Sequence, residues 1–198
     1  MKKNLPQCAL CKTKVCYAQK MQGAEYPAGC PSVADMQEYI NEYKSDKNYD
    51  FMKAACAAGA DKVPRLLEIV QLCKGIEYKR IGIAFCSVLR DQAVLLHEYL
   101  TGHGFEVVSV MCKVGGMPKD IIGIPNGKFG LCNPLAQAKH LNAGETDFNI
   151  FVGLCTGHQY IAIRNSIETP FDVITRDKVH ENCPLKELGE SGKLFNVN

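Results

Sequence analysis

From Lys79 onward the chain alternates short apolar runs with helix-patterned stretches, and this alternation limits the possible folds more than any other feature. Arg80-Ile81-Gly82-Ile83-Ala84-Phe85 reads as a buried strand, and Arg90 to Leu100 as a helix ending at Gly102 and Gly104. Phe105 to Met111 is the next strand, followed by a Gly/Pro-rich loop from Gly115 to Gly130. Asn133-Pro134 opens a helix through Leu141, with a capping side chain and a first-turn proline in their favoured places. Asn149 to Leu154 forms a third strand, Gly157 to Asn165 a helix, and Phe171 to Thr175 a fourth strand. Strands separated by helices predict an α/β fold: a mostly parallel, Rossmann- or flavodoxin-like sheet with helices on both faces.

Before this region the pattern is helical. Ser32 and Asp35 have capping-box spacing, and Val33, Met36, Ile40 and Tyr43 recur at helical intervals. Asp50 is expected to cap a second helix through Ala58, closed by Gly59, and Pro64 to stand in the first turn of a third that runs to Gly75. Residues 1–31 are polar and turn-rich, with too little apolar material for a core, so they are read as a separate Cys-rich segment before a domain over 32–198. The stretch from Lys178 to Asn198 carries little signal.

A chain of 198 residues, 46% apolar and 22% charged, can bury one full core without a metal or disulfide. Its net charge of +2 is too balanced to suggest nucleic-acid or membrane-surface binding. No apolar run reaches the ~18 residues of a membrane span, and Met1 to Cys8 lack the apolar core of a secretion signal. A cytoplasmic location is expected.

Cysteine is the unusual component, at 11 residues. The count is odd, and a reducing cytosol disfavours structural disulfides. Metal ligation or redox chemistry is the better use for so many reduced thiols. The first candidate set is Cys8-x2-Cys11-x4-Cys16-x13-Cys30, followed by Pro31. A tight Cys-x2-Cys turn lets both sulfurs face one side, and four thiolates satisfy structural zinc or an iron–sulfur cluster. Burial as scattered core cysteines fits poorly, because this segment has no core to bury them in.

The second set emerges only through the fold. Cys86, Cys112 and Cys155 follow the first three strands, and Cys132 precedes the helix that opens at Asn133. In a parallel sheet all strand C-termini share one edge, where ligands bind. Topology therefore gathers Cys86, Cys112, Cys132 and Cys155, although each could instead be a small buried hydrophobe. Cys86, Cys132 and Cys155 also precede helices, where the dipole favours thiolate. Cys56 and Cys73 fall in apolar helical stretches and are expected in the core, while Cys183 is open. His158, in the first turn of the helix after Cys155, is the candidate proton donor, with ligand or cap as alternatives. Gly115 and Gly116, which a turn would equally explain, are candidates to bind a cofactor through backbone N–H groups, with Asn133 and Thr156 at helix starts. His97 and His140 fall mid-helix and are expected to face solvent, and His103 and His180 lie in loops. No G-x-G-x-x-G, phosphate loop or G-x-S-x-G elbow occurs.

Four blocks resemble a known family: Ile81 to Cys86, Cys112 to Lys119, Cys132 to Ala138, and Thr146 to His158, the last reading TDFNIFVGLCTGH. They are similar to the domain-of-unknown-function family numbered eighteen forty-seven, described as metal-binding proteins of archaea and anaerobic bacteria. The resemblance covers nearly the whole chain and implies metal binding without a reaction. The segment from Arg176 to Pro184 departs from the family pattern, with Cys183 near a His-Asn position, so it assigns no role to His180.

The leading expectation is an iron–sulfur protein, with one or two 4Fe-4S clusters, performing redox or sulfur-transfer chemistry at the sheet edge. Two four-thiolate sites would suit electron passage, and hard-oxygen metals are disfavoured because no carboxylate cluster accompanies the cysteines. The alternatives are a zinc-stabilised binding module without catalysis and a metal-free thiol enzyme. A redox partner or a small-molecule substrate is expected.

Overall fold

The computed structural model describes residues 5–12, 15–18, 26–33, 36–125 and 130–186. The chain forms two compact units, Met1–Lys53 and Ala54–Asn198. The first holds 3-10 turns at Cys8–Leu10, Val15–Ala18 and Pro31–Val33, helix α1 (Met36–Tyr43) and the start of α2 (Asp46–Ala58). Of the capping pair expected at Ser32 and Asp35, Asp35 lies outside the described residues. Helix α2 begins before Asp50, because the Ser45 carbonyl already accepts from Tyr49 N–H at 3.0 Å. Its buried stripe is Ala54 and Ala58, four residues apart. Cys56 falls about 200° around the helix from Ala54 at 3.6 residues per turn, so it is exposed and the expected core placement is corrected. Cys73 is buried as expected.

The second unit continues with α3 (Arg65–Gly75), β1 (Arg80–Phe85), α4 (Arg90–Gly102), β2 (Glu106–Met111), α5 (Pro134–Ala143), β3 (Phe148–Val152), α6 (Thr156–Asn165) and β4 (Pro170–Ile174). Pro64 flanks α3 rather than opening it, and its carbonyl accepts from Leu67 and Glu68 N–H. The four strands form an all-parallel sheet in the order β2-β1-β3-β4. The fold is the expected α/β type.

Strand alternation divides the core into two layers. Ile81 and Ile83 of β1, with Phe148, Ile150 and Val152 of β3, pack with Ile69 and Val70 of α3 and Leu96 and Leu100 of α4. Ala84 and Phe151 pack on the other side with Leu141 of α5 and Ala162 of α6. The chain steps from β1 to β2 in one direction, then crosses back past β1 to β3. That reversal sends α4 and α5 to opposite faces, because parallel crossovers keep one hand.

Two buried polar side chains tighten this arrangement. Asn149 Oδ1 accepts from Thr146 Oγ1 at 2.9 Å and would lie only 2.1 Å from a Cβ at Gly82, so glycine is required where β1 meets this network. Gln137 of α5 is fully buried, and its Nε2 donates to Val110 O at 2.8 Å and to Phe85 O at 3.3 Å. One amide thus pins α5 to the C-terminal ends of β1 and β2. Among the described residues, no helix is long and apolar enough to cross a membrane.

Burial also gives the core a pH signature. Desolvation, then the charge of Asp147, pushes the Cys73 thiol from 9.0 up to about 12. The unfolded chain ionises this thiol first, so its contribution is complete below pH 9 and is lost as pH rises towards 12. Each pH unit in that window is expected to remove about 1.4 kcal/mol. Urea titrations of the parent and Cys73→Ala across pH 8–11 check this. Parallel curves for the two proteins would contradict it.

Candidate functional site

The strand order places the site. Between β1 and β3 the strand order reverses, and α4 and α6, which follow these strands, pack on opposite faces; in parallel sheets this switch point at the C-terminal edge is where a ligand crevice forms. Cys86 leaves β1, and its N–H donates to Val152 O at 3.0 Å. Cys112 leaves β2, with its N–H on Phe85 O at 2.8 Å and its carbonyl accepting from Asn133 N–H at 2.6 Å. That second bond brings Cys132, the residue before Asn133, back beside Cys112. Cys155 is the N-cap of α6. Cys112 is buried and the other three are half-buried.

The thiols interact with one another. Cys86 and Cys132 both lie close enough to Cys112 and Cys155 for those sulfurs to raise their pKa values. Cys112 Sγ also accepts from Ser87 N–H at 3.3 Å. Burial first, and then the neighbouring sulfurs, raises the pKa of both Cys86 and Cys132; the Val88 backbone opposes this at Cys86, and Lys113 opposes it at Cys132. The expectation that helix starts would favour thiolate is therefore corrected at these two positions: desolvation and like-charge crowding outweigh the dipole. Among the described residues, no group of three or more His, Cys, Asp or Glu side chains is disposed as it stands to hold a metal ion.

His158 occupies the first turn of α6 and is half-buried. Burial, followed by the charges of Lys178, Lys113 and Lys119, lowers its pKa. The imidazole is therefore neutral at pH 7 and able to accept a proton. The other expected binding residues have structural uses. Asn133 Oδ1 caps α5 by accepting from Ala136 N–H at 3.0 Å. Gly115 and Gly116 both adopt left-handed φ, +84° and +57°, and Gly116 N–H closes a turn on Lys113 O at 3.0 Å. Thr156 is exposed at the start of α6.

Residues 30–172 match a family model described as "Protein of unknown function (DUF1847)". The chain belongs to this family. It is also 39% identical over 180 residues to an uncharacterized protein of Methanocaldococcus jannaschii, covering 87% of this chain and 88% of that protein. No solved structure matches the chain significantly. The DUF1847 match contains Cys30, all the crevice cysteines and His158, and leaves Cys8, Cys11 and Cys16 outside.

Those N-terminal cysteines are described within the first unit. Cys8, Cys11 and Cys16 are exposed and Cys30 is half-buried. Cys11 N–H donates to Cys8 O at 3.1 Å, a 3-10 turn in which residues three apart share one side. The Cys-x2-Cys spacing thus places its two residues on one side of a turn.

Sequence reasoning missed an Asp-x-x-His pair after β4. Asp177 accepts from Val179 and His180 N–H at 2.9 Å each, and contacts His180 Nδ1 at 3.0 Å. These bonds hold the Asp177 carboxyl below its ordinary pKa, with the His180 backbone the largest cause. The available signal was the spacing itself, since a carboxylate three residues before a histidine can close such a turn.

The raised thiol pKa values carry a measurable consequence. Only thiolate alkylates, so in metal-free protein at neutral pH Cys86 and Cys132 are expected to react with iodoacetamide well after exposed Cys56 and Cys183. Their rates should climb as pH passes 9. Peptide mapping of timed samples checks this, and early labelling of Cys86 or Cys132 would contradict it.

Proposed function

We propose that the C-terminal edge of the sheet is a thiolate site for a soft metal, with an iron–sulfur cluster as the leading occupant and redox or sulfur-transfer chemistry as its use. The observation that supports this reading is the placement of Cys86, Cys112, Cys132 and Cys155 at one edge of the sheet, where Cys112 and Cys155 both act on Cys86 and Cys132. Several thiolates cannot share a half-buried crevice without a compensating cation, and a metal supplies that charge while deprotonating its ligands. The same crowding raises the thiol pKa values, which suits a metal-free thiolate nucleophile poorly. Cys86, Cys112, Cys132 and Cys155 would hold the group. Such a group supplies electrons or sulfide when bound. Neutral His158, at the start of α6, would accept or return a proton beside it, and the half-buried setting limits water.

Cys8, Cys11, Cys16 and Cys30 are proposed as a second set of ligands for the same class of metal. Zinc remains the alternative occupant, because it accepts the same donors. The protein is assigned to the cytoplasm, where a redox partner or a small molecule would be its counterpart.

Anaerobic purification with iron, zinc and acid-labile sulfide quantified together tests the reading. Iron with sulfide, in brown protein, is the expected result. Zinc without sulfide would replace the redox reading with a zinc-stabilised module. Protein free of both metals after reconstitution would overturn the site.

A further inference from the structure

The two edges of the sheet are built differently. At one edge, β4 carries Pro170, which has no N–H to offer, the charged Asp172, and a register shift against β3 at Phe151/Val152. Prolines, charges and bulges keep an edge strand from pairing with another chain. At the other edge, β2 has none of these from Val107 to Met111, and it pairs with β1 in unbroken register. Its charged residue, Glu106, is tied back to Arg80 of β1 at 2.7 Å. Glu106 and Cys112 N–H donate to Lys79 and Phe85 O, so alternation turns the backbone of Val107, Ser109 and Met111 away from β1. Among the described residues, the N–H and C=O groups of Val107 and Ser109 and the N–H of Met111 have no hydrogen-bond partner.

This open edge matches itself. Set antiparallel against a second copy about a two-fold axis at Ser109, it puts Val107 opposite Met111 and Val108 opposite Val110. Apolar side chains then meet apolar ones on both faces of the sheet. The two Ser109 residues become a pair that exchanges both N–H···O bonds, and their small side chains leave room at the axis.

Helix α4 carries the same symmetry. Arg90, Val94 and Glu98 recur every four residues and form one stripe. That stripe lines a cavity of about 280 Å³ together with His97 and Ser109, so the cavity is the groove between α4 and the open edge. Helix α4 packs on both β1 and β2. With strands about 4.8 Å apart, the two-fold axis brings the two α4 helices to about 10 Å, an ordinary packing distance. They run antiparallel across the axis. Val94, 40% exposed, meets Val94 of the second copy, and Arg90 at one end of the stripe meets Glu98 at the other. Within its own chain Arg90 reaches only Asp91, at 3.9 Å with both side chains largely exposed. Glu98 has no ion pair among the described residues. A stripe with opposite charges at its two ends and an apolar centre suits an isologous interface.

We propose that a second copy of this chain docks on β2 and α4, joining the two four-stranded sheets edge to edge with reciprocal Arg90–Glu98 pairs. The interface does not involve the thiols, so its test is independent of the metal reading.

Sedimentation equilibrium of the full chain, in reductant to remove disulfide cross-links, should give twice the chain mass of 21.8 kDa. Ser109→Pro deletes an N–H that β1 does not use and is expected to weaken the dimer by roughly tenfold or more. Arg90→Glu and Glu98→Arg each set like charges against one another twice and should weaken it by a similar factor. Both changes suit the half of the helix dipole they occupy, so the fold is kept. The Arg90→Glu/Glu98→Arg double variant restores opposite charges and should restore the dimer. Leu95→Lys, exposed on the other flank of α4, should leave association unchanged. A monomeric parent would overturn the inference. So would a dimer that Ser109→Pro and both single charge changes leave intact, or a double variant that associates as weakly as either single one.

Discussion

Gly153→Ala is expected to lower stability by about 2–5 kcal/mol and, if the proposed thiolate site holds a metal, to lower metal content. Gly153 sits between β3 and Cys155 with φ +62°, a left-handed conformation that costs an L-residue about 1–2 kcal/mol. A Cβ there would lie 2.1 Å from Leu89 Cδ1, and overpacking of that kind costs about 1–3 kcal/mol. Leu89 belongs to the core layer under α3 and α4, and its N–H closes the turn on Cys86 O at 2.9 Å. The substitution therefore pushes apart the segment carrying Cys86 and the segment carrying Cys155. Gly157→Ala is the control, because nothing lies within 4 Å of its Cβ position. It is expected to stay within about 1 kcal/mol of the parent. Urea unfolding should show a lower midpoint at constant slope for Gly153→Ala only. An unchanged midpoint and unchanged metal content would show that the Gly153–Leu89 contact does not position the site.

Much of the fold was legible in the sequence because its strands are short, apolar and punctuated. Arg80–Phe85 ends where the apolar run ends, and Asn133 caps α5 as its spacing implies. The neighbour order of the strands was not legible, since register and order arise from contacts between distant segments. The placing of Cys86, Cys112 and Cys155 after the C-terminal ends of neighbouring strands was legible for a physical reason: parallel topology alone brings strand ends to one edge. Their ionisation was not, because a helix start predicts lowered thiol pKa values while packing against other sulfurs decides the sign. Cys56 shows the same limit on a smaller scale. An apolar neighbourhood on α2 does not say which stripe faces inward, and Ala54 and Ala58 take that role.

Replacing two crevice cysteines together is expected to cost little more than replacing one. If Cys86 and Cys155 hold a common group, either Cys→Ser change removes or loosens that group, and the second change then has nothing left to break. Stability and metal content would both be strongly non-additive, because the residues act through one shared occupant. If the two are independent packing residues, each serine costs about 1–3 kcal/mol through a poorly satisfied hydroxyl, the costs add, and metal content stays constant. Cys56→Ser gives the baseline, since an exposed thiol should change stability by no more than about 0.5 kcal/mol. Iron and zinc per chain, measured beside urea midpoints for both single variants and the double, separate the two cases. If Cys8, Cys11, Cys16 and Cys30 hold a second metal as proposed, that metal should survive all three changes, so the loss of metal is expected to be partial and no greater in the double variant than in either single one. Full metal retention in folded Cys86→Ser and Cys155→Ser would refute the crevice site and leave Cys8, Cys11, Cys16 and Cys30 as the remaining candidate ligands. The influence of both Cys112 and Cys155 on the Cys86 thiol argues for the first outcome, because side chains that act on one another are not perturbed one at a time.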